Sequence, residues 1–517
     1  QLIVVGLEGS SHLGMRGEGG AHYYDILAKH AFGNYGDLLK EVSVNPIMAD
    51  YLTYVASSKD NNVTGTAPDE NYARELMQLF SVGLYELNDD GTKVLDGNNL
   101  PTPIYTQDDV SEMARVFTGW ALSSDNYEEK KNTDYHNNQT YQHSYIMEIR
   151  DDFASEYHDF ESKTVLKKTI SAGLTPKEDI DRAIDILMEN KNTGPHICRE
   201  LINRLVTSNP SKKYMKDVVG VFNSGKYNKK GSGRKGDLKV TIEAILTHDE
   251  ARKTSFNTKG KVDEFMLLTT HYLSSLNVKP LPEMSYTGTI DNLTTVMEDV
   301  YWFTPETQYY YQVPLEAPSV FNFYSPEYVP NDASFSNTGL VAPEFEQRTY
   351  NGLIAFSNYI YFNLKQDRYI YEYVDTQKSN NPTTFTNMTD WVRTDGNKIN
   401  QTSFSGLYID TTAIYKKFSM FVDGNESLEF YNLNAGTEAQ GGEKALSENG
   451  KEAVVELIEY LDMHFTGGIT PQEYKDTLAQ HLYTTQSSRN NIMRQASNIV
   501  GTAIRAIIMS PSYMVIK

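Results

Sequence analysis

The sequence predicts a mainly α-helical protein: a multi-helix globular core with long ordered aromatic and polar loops and a few short strands. Three observations lead there. Apolar residues recur at helical spacing in segment after segment. Several of those segments open on a capping residue or an acidic first turn. Hydrophobic residues make up only 39% of the 517, but aromatics reach 12%, with 36 Tyr, and rings on that scale supply a core.

In chain order, "HYYDILAKHAFGNYGDLLKEVSVNPIMADYLTYV" (22–55) reads as helices broken at Gly33-Asn34. A helix over 69–82 follows, with Gly83 as its cap. "LNDDGTKVLDGNN" (87–99) is a turn-rich hairpin or loop. "TQDDVSEMARVFTGW" (106–120) starts on an N-cap Thr106 and an acidic turn. Residues 121–165 read as polar and irregular. Helices are predicted over 176–190 and 194–206, the latter with Pro195 in its first turn. "SKKYMKDVVGVFNS" and "GDLKVTIEAILTHDEAR" continue the pattern, and helices return after residue 446. The predicted segments are a helical core over 1–270, a Pro- and aromatic-rich stretch over 271–345, an irregular or partly β insertion over 346–445, and C-terminal helices over 446–517.

The formal charge is −21, which disfavours nucleic acid and anionic lipid as partners. No run reaches the ~18 apolar residues of a membrane span. The single cysteine, Cys198, sits on an apolar helix face and reads as a packed thiol. The chain opens inside an apolar run, "QLIVVGL", without a start methionine. That predicts a longer precursor, with room for an export signal ahead of Gln1.

Three stretches hold candidate chemistry. In "PDENYARELMQLF", Asn71, Arg74, Glu75 and Gln78 share one helix face, and Glu70 can pair with Arg74. Glu75 is a candidate base or ligand beside Arg74, or else part of a buried structural ion-pair network. "EYHDFESKT" sets His158 beside Asp159, with Lys163 near, for metal binding or proton relay. In "NDDGTKVLDGN", Asn88, Asp89, Asp90 and Asp96 offer hard oxygens for calcium, with Gly91 and Gly97 allowing tight curvature, without the EF-hand order. There is no HExxH, GxSxG, Walker A or GxGxxG pattern.

The stretches "PDENYARELMQLFSVGLYELNDDGT", "YTQDDVSEMARVFTGW", "YHDFESKTVL", "GPHICRELINRLVTSNPS", "GDLKVTIEAILTHDEAR" and "APSVFNFYSPEYVP" together resemble the bacterial family called domain of unknown function 1800. The resemblance runs in one order over nearly the whole chain and is weakest over 366–445. It marks Glu70, Asn71, Arg74, Glu75, His158, Asp159 and Lys163 as signature positions, with Thr118, Gly119 and Trp120. It adds Arg199, Arg204 and the loop residues Pro318, Ser319, Phe321, Asn322 and Pro326, so that Arg199, Arg204 and Asn322 join the candidate binding cluster. Where relatives often carry Thr-Gly-Ala, this chain has Phe160-Glu161-Ser162.

The resemblance implies an exported bacterial protein at the periplasm, cell surface or outside the cell. It implies as partner either the neighbouring sulfatase- or phosphatase-like family called domain of unknown function 1501 or further copies of the chain. The leading expectation is an accessory or structural component of an envelope or extracellular assembly. A hydrolase or metal-assisted enzyme built on Glu75, His158 and Asp159 is the alternative. Calcium-dependent adhesion through residues 88–98 is a third reading. The expected cofactor is calcium or another divalent metal.

Overall fold

The computed structural model describes residues 3–6, 17–121, 147, 151–252, 261–276, 279–280, 312, 317–331, 338–360, 446–484 and 492–516, with short pieces between 407 and 426. Most of the expected irregular segment before residue 151, and most of the expected insertion over 346–445, lies outside the described residues. Helices dominate, as expected, and no described helix is long and apolar enough to cross a membrane. The chain divides into two compact units: residues 1–261 with 314–346, and 262–313 with 347–516. The expected 271–345 segment is thereby shared, its last part belonging to the first unit.

In the first unit, α1 (Gly17–His30), α2 (Tyr35–Val42) and α3 (Pro46–Tyr51) form the N-terminal helices. Asn34 and Asn45 cap α2 and α3 through their side-chain oxygens, which explains the break at Gly33-Asn34. Helix α4 (Asn71–Gln78) is shorter than the sequence predicts. After Leu79 the chain leaves regular geometry: the Val82 and Gly83 amides both reach back to the Met77 carbonyl, and the Ser81 hydroxyl takes that of Leu76 at 2.6 Å. A side-chain donor competing for a helical carbonyl ends the helix early.

The next segment, 84–103, is a small meander of backbone-paired turns, with bridges Leu87 to Lys93 and Leu95 to Pro101. Helix α5 (Gln107–Val116) opens on a reciprocal capping box of Thr106 and Asp109. After α6 (Asp151–Tyr157) comes a tight hairpin, β1 (Lys163–Val165) against β2 (Lys168–Ile170). The same capping device, Thr175 with Glu178, starts α7 (Pro176–Glu189). Helices α8 (Thr193–Leu205), α9 (Lys212–Ser224), α10 (Leu238–Thr247) and α11 (Asp249–Arg252) complete the unit.

One continuous core runs through these elements and includes Tyr23, Tyr54, Tyr72, Phe117 and Phe222. Tyr72 stacks on Tyr54 at 4.4 Å between centroids and meets Phe117 edge-on at 4.9 Å. Each buried ring of this kind contributes about 1.5–3 kcal/mol of transfer free energy. The Tyr54 hydroxyl donates to the Ser43 carbonyl, so its buried polar tip is satisfied. The tyrosine-rich composition is therefore core material. Cys198 is part of the same core, and burial pushes its thiol well above its ordinary value.

The second unit has its own core. Helices α12 (Phe265–Ser275), α13 (350–360), α14 (Glu448–Thr466), α15 (Gln472–Tyr483), α16 (Ile492–Ile508) and α17 (Pro511–Met514) bury Leu268, Phe356, Leu461, Ile504 and Ile508. The Tyr513 hydroxyl donates to the Leu268 carbonyl at 2.7 Å and ties α17 to α12. Gly467, at φ 74°, caps α14 in the left-handed region.

Candidate functional site

The polar signature residues of the first unit fall into three groups. The first is inside the fold. His158, Lys163 and Asp179 are all essentially without exposed surface. The Lys163 ammonium donates to the Asp159 carbonyl at 2.5 Å and the Glu161 carbonyl at 3.0 Å, and lies 2.6 Å from Asp179 Oδ2. His158 donates from Nδ1 to the Thr118 carbonyl at 2.7 Å, so its Nε2 faces Asp179 Oδ2 at 3.2 Å. The sequence places these groups by simple means. Asp179 stands in the first turn of α7, where the helix dipole favours a negative charge. Gly119, at φ 81°, lets the backbone press against His158: a Cβ there would come within 2.6 Å of the histidine Cβ.

Asp159 belongs to the rim of this group. Arg115 of α5 grips it with two nitrogens, at 2.7 and 3.0 Å, and also reaches Glu112 at 2.8 Å. Burial pushes the Asp159 carboxyl up. The Arg115 fork and the Glu161 amide outweigh that and hold it below the usual aspartate range. The residues expected to relay protons thus stitch the β1–β2 hairpin to α5 and α7, where no solvent reaches the ring of His158.

The second group is the face of α4. Glu70 pairs with Arg74 at 2.9 Å, as the i,i+4 spacing predicts, and its carboxylate also receives Gln107 at 2.7 Å and Ser111 at 2.6 Å. This network is half-exposed rather than buried, and it joins α4 to α5. Asn71 is exposed, and its amide nitrogen donates to Thr53 at 3.4 Å. Glu75 differs: one of its oxygens is buried and has no hydrogen-bond donor. Burial raises its carboxyl above the ordinary glutamate range, against the lowering pull of Arg74. Tyr51, pushed up to about 12 by burial and then by the Glu75 charge, is its neighbour. Glu75 shares no hydrogen bond or ion pair with His158 or Asp159 among the described residues.

The residues expected to bind calcium are engaged by their own turns. Asp90 accepts from the Thr92 amide at 2.9 Å and hydroxyl at 2.6 Å, and Asp96 accepts from the Asn98 and Leu100 amides. Asn88 donates to the Thr92 hydroxyl. Among the described residues no group of three or more His, Cys, Asp or Glu side chains is placed to hold a metal ion. The carboxylates of this stretch accept from amides that tight turns leave unpaired. Arg199 stands over the same stretch and donates to the Gly91 carbonyl, pinning the turn to α8.

The third group opens to solvent. A cleft of about 70 Å³ lies between α8, the end of α4, Val4 and the loop after Ala317. Its α8 wall carries His196, Ile197, Glu200 and Arg204, with the three polar residues spaced at four. Leu79 closes one side, and Val320, Phe321, Asn322 and Pro326 form the loop wall. The loop is shaped by Asn322, at φ 71°, whose amide donates to the Ser319 carbonyl at 3.0 Å.

Arg204 is held in place: its guanidinium lies 4.8 Å above the Tyr324 ring and donates to the Tyr324 hydroxyl. Beneath it, Lys261 and Glu344 form a buried pair at 3.1 Å, and the Lys261 ammonium donates to the Arg204 carbonyl. His196 is fixed as well, hydrogen-bonded to the Leu79 carbonyl at 3.0 Å and packed on Gly83.

The cleft brings together Arg204 and Asn322 from the expected binding cluster and leaves out Glu70, Asn71, Arg74, Lys163 and Arg199. Sequence reading missed Asp179, His196, Glu200 and the Lys261–Glu344 pair. The four-residue spacing in "HICRELINR" was the available signal for the α8 wall. Nothing local marks Asp179 as buried, since an acid in a first turn is ordinarily solvated.

A helical fold in two units, with its signature polar residues divided among an interior network, a half-exposed helix face and a solvent-open cleft, defines the class. The family model described as "Protein of unknown function (DUF1800)" matches residues 8–515, so the chain belongs to that family. No curated protein and no solved structure matches it.

Proposed function

We propose that the chain is a non-catalytic, ligand- or partner-binding component of an exported bacterial assembly, at the envelope or outside the cell. One observation carries this reading. His158, Asp159 and Lys163, the residues a hydrolase would be expected to use, are held by Thr118, Asp179 and Arg115 within the fold. Buried ion pairs of this kind tie elements together at a cost in desolvation, and a group fixed among them offers no face to a substrate. The acidic balance of −21 keeps such a protein from anionic surfaces and favours cationic partners.

The hydrolase reading rests on Glu75 alone, with its raised carboxyl and unpaired oxygen. A raised glutamate whose neighbours are Arg74 and the raised phenol of Tyr51 fits a buried structural position better than a reaction. The partner, whether the sulfatase- or phosphatase-like neighbour family or another copy, is identified by co-purification from the native source and by the size of the particle. A lone particle that hydrolyses sulfate or phosphate esters, with the activity lost in Glu75→Gln, would overturn the reading.

A further inference from the structure

We propose that Lys163 and Asp179 are the reactants of an autocatalytic, intramolecular isopeptide bond, with His158 as its catalytic residue. The ion pair described above is the reactant state, and the bond accumulates after the chain has folded.

The three side chains are buried and meet at one oxygen. Lys163 Nζ stands 2.6 Å from Asp179 Oδ2, and His158 Nε2 stands 3.2 Å from the same atom. Yet neither oxygen of Asp179, nor His158 Nε2, takes part in a hydrogen bond. The ammonium therefore touches the carboxylate without being aligned on its lone pairs. A salt bridge serving stability alone gains by filling those lone pairs, because orphan oxygens on a buried carboxylate are costly. The surroundings are apolar. The Phe160 ring meets His158 edge-on at 4.8 Å, and Val165, Ile170 and Ile180 are buried. A second buried pair, Lys261 with Glu344, is built differently: its nitrogen lies 3.1 Å away, and the Ser208 and Tyr324 hydroxyls face the carboxylate at 3.5 Å.

A charge pair that water does not solvate gains by becoming neutral. One proton passes from Nζ to Oδ2, leaving an amine and a carboxylic acid. His158 accepts a hydrogen bond from that acid at Nε2, because its own proton, on Nδ1, is committed to the Thr118 carbonyl. The acid proton is thereby kept from returning to the amine. The Nζ lone pair attacks Cγ, the C–N bond forms, and the carbonyl π pair moves to Oδ1. Nζ gives a second proton to Oδ2. The Cγ–Oδ2 bond breaks, its electron pair leaves with water, and the pair on Oδ1 restores the carbonyl. The new amide keeps the third proton of the original ammonium and donates it to the Asp159 carbonyl, 2.5 Å from Nζ. Fixing both groups in place supplies an effective concentration on the order of 10⁵–10⁸ M.

The reaction needs no co-reactant and no solvent-facing site. The burial that denies these residues an outside substrate is what this condensation requires. Its product ties the β1–β2 hairpin to α7. A chain with one cysteine has no intrachain disulfide, and the isopeptide bond supplies a covalent staple by another route.

The test is tryptic mapping of the denatured full chain by mass spectrometry. The proposal expects a branched peptide in which residues 151–167, uncut after Lys163, are joined to residues 178–182, one water lighter than the two together. Lys163→Arg keeps the charge, cannot condense in this way, and is expected to give only separate peptides. His158→Asn keeps a donor for the Thr118 carbonyl and removes Nε2. It is expected to slow the appearance of the branched peptide, followed against time after synthesis, about a hundredfold with unchanged far-UV circular dichroism.

Separate peptides cut after Lys163 in aged wild-type protein would overturn the proposal. So would a branched peptide that persists in Lys163→Arg, or a rate unaffected by His158→Asn. None of these results alters which partner the particle holds, so the binding-component reading stands or falls separately.

Discussion

Replacing Asp179 by Ala leaves the Lys163 ammonium buried at 1% exposure without its carboxylate, 2.6 Å away in the intact protein. Removing one partner of such a pair costs about 3–5 kcal/mol. Chemical denaturation should show that loss for Asp179→Ala, and a much smaller loss for the double substitution Lys163→Met with Asp179→Leu. A loss under about 1 kcal/mol for the single variant would mean the interior network is not structural. Gly119→Ala forces a left-handed backbone on a residue with a side chain, at about 1–3 kcal/mol, before the collision with His158 is counted.

Glu75 predicts the opposite sign. Its folded carboxyl lies above the ordinary glutamate range, so the folded state holds a proton that the unfolded state has released. Stability is therefore lost as pH rises from the unfolded glutamate value of about 4.3 through the folded one. Glu75→Gln should raise the denaturation midpoint at pH 7, and the gain should vanish below about pH 4. Asp159 runs the other way. Its depressed carboxyl contributes stability above the unfolded aspartate value of about 3.9, lost as pH falls through the folded value. Asp159→Asn should flatten that acid limb in a pH series of melting temperatures.

Among the elements, the helices with strong local signals were legible. Thr106 and Pro195 mark the starts of α5 and α8 in the sequence itself, and the structure adds the capping box of Thr175 with Glu178 at α7 and the Asn34 cap at the break before α2. Thr175→Ala should cost about 1 kcal/mol in thermal denaturation, because it orphans the Glu178 amide. Glu70→Ala should cost less than about 1 kcal/mol despite its signature position, since the Arg74 pair is about one-third exposed.

What stayed hidden depended on distant partners. The early end of α4 is set by Ser81 and by Asn192, which binds the Val82 carbonyl from 110 residues away. The interior site hinged on Asp179, invisible as a partner until the hairpin folds Lys163 onto it. Two of the seven residues of the expected binding cluster, Arg204 and Asn322, lie on the cleft, and only the fold separates Arg204 from Arg199, which clamps a turn.

At the scale of the whole molecule, the chain comprises two units with separate cores and carries a formal charge of −21. The proposed role as a binding component has it meet its partners through open faces. The central claim is tested most directly by purifying the protein from its native source and measuring particle mass by light scattering and metal content by elemental mass spectrometry on one sample. The account predicts a particle heavier than one denatured chain from the same source, holding a partner or further copies, without a stoichiometric transition metal. A single chain carrying one transition metal per molecule would contradict it and return the search to catalysis.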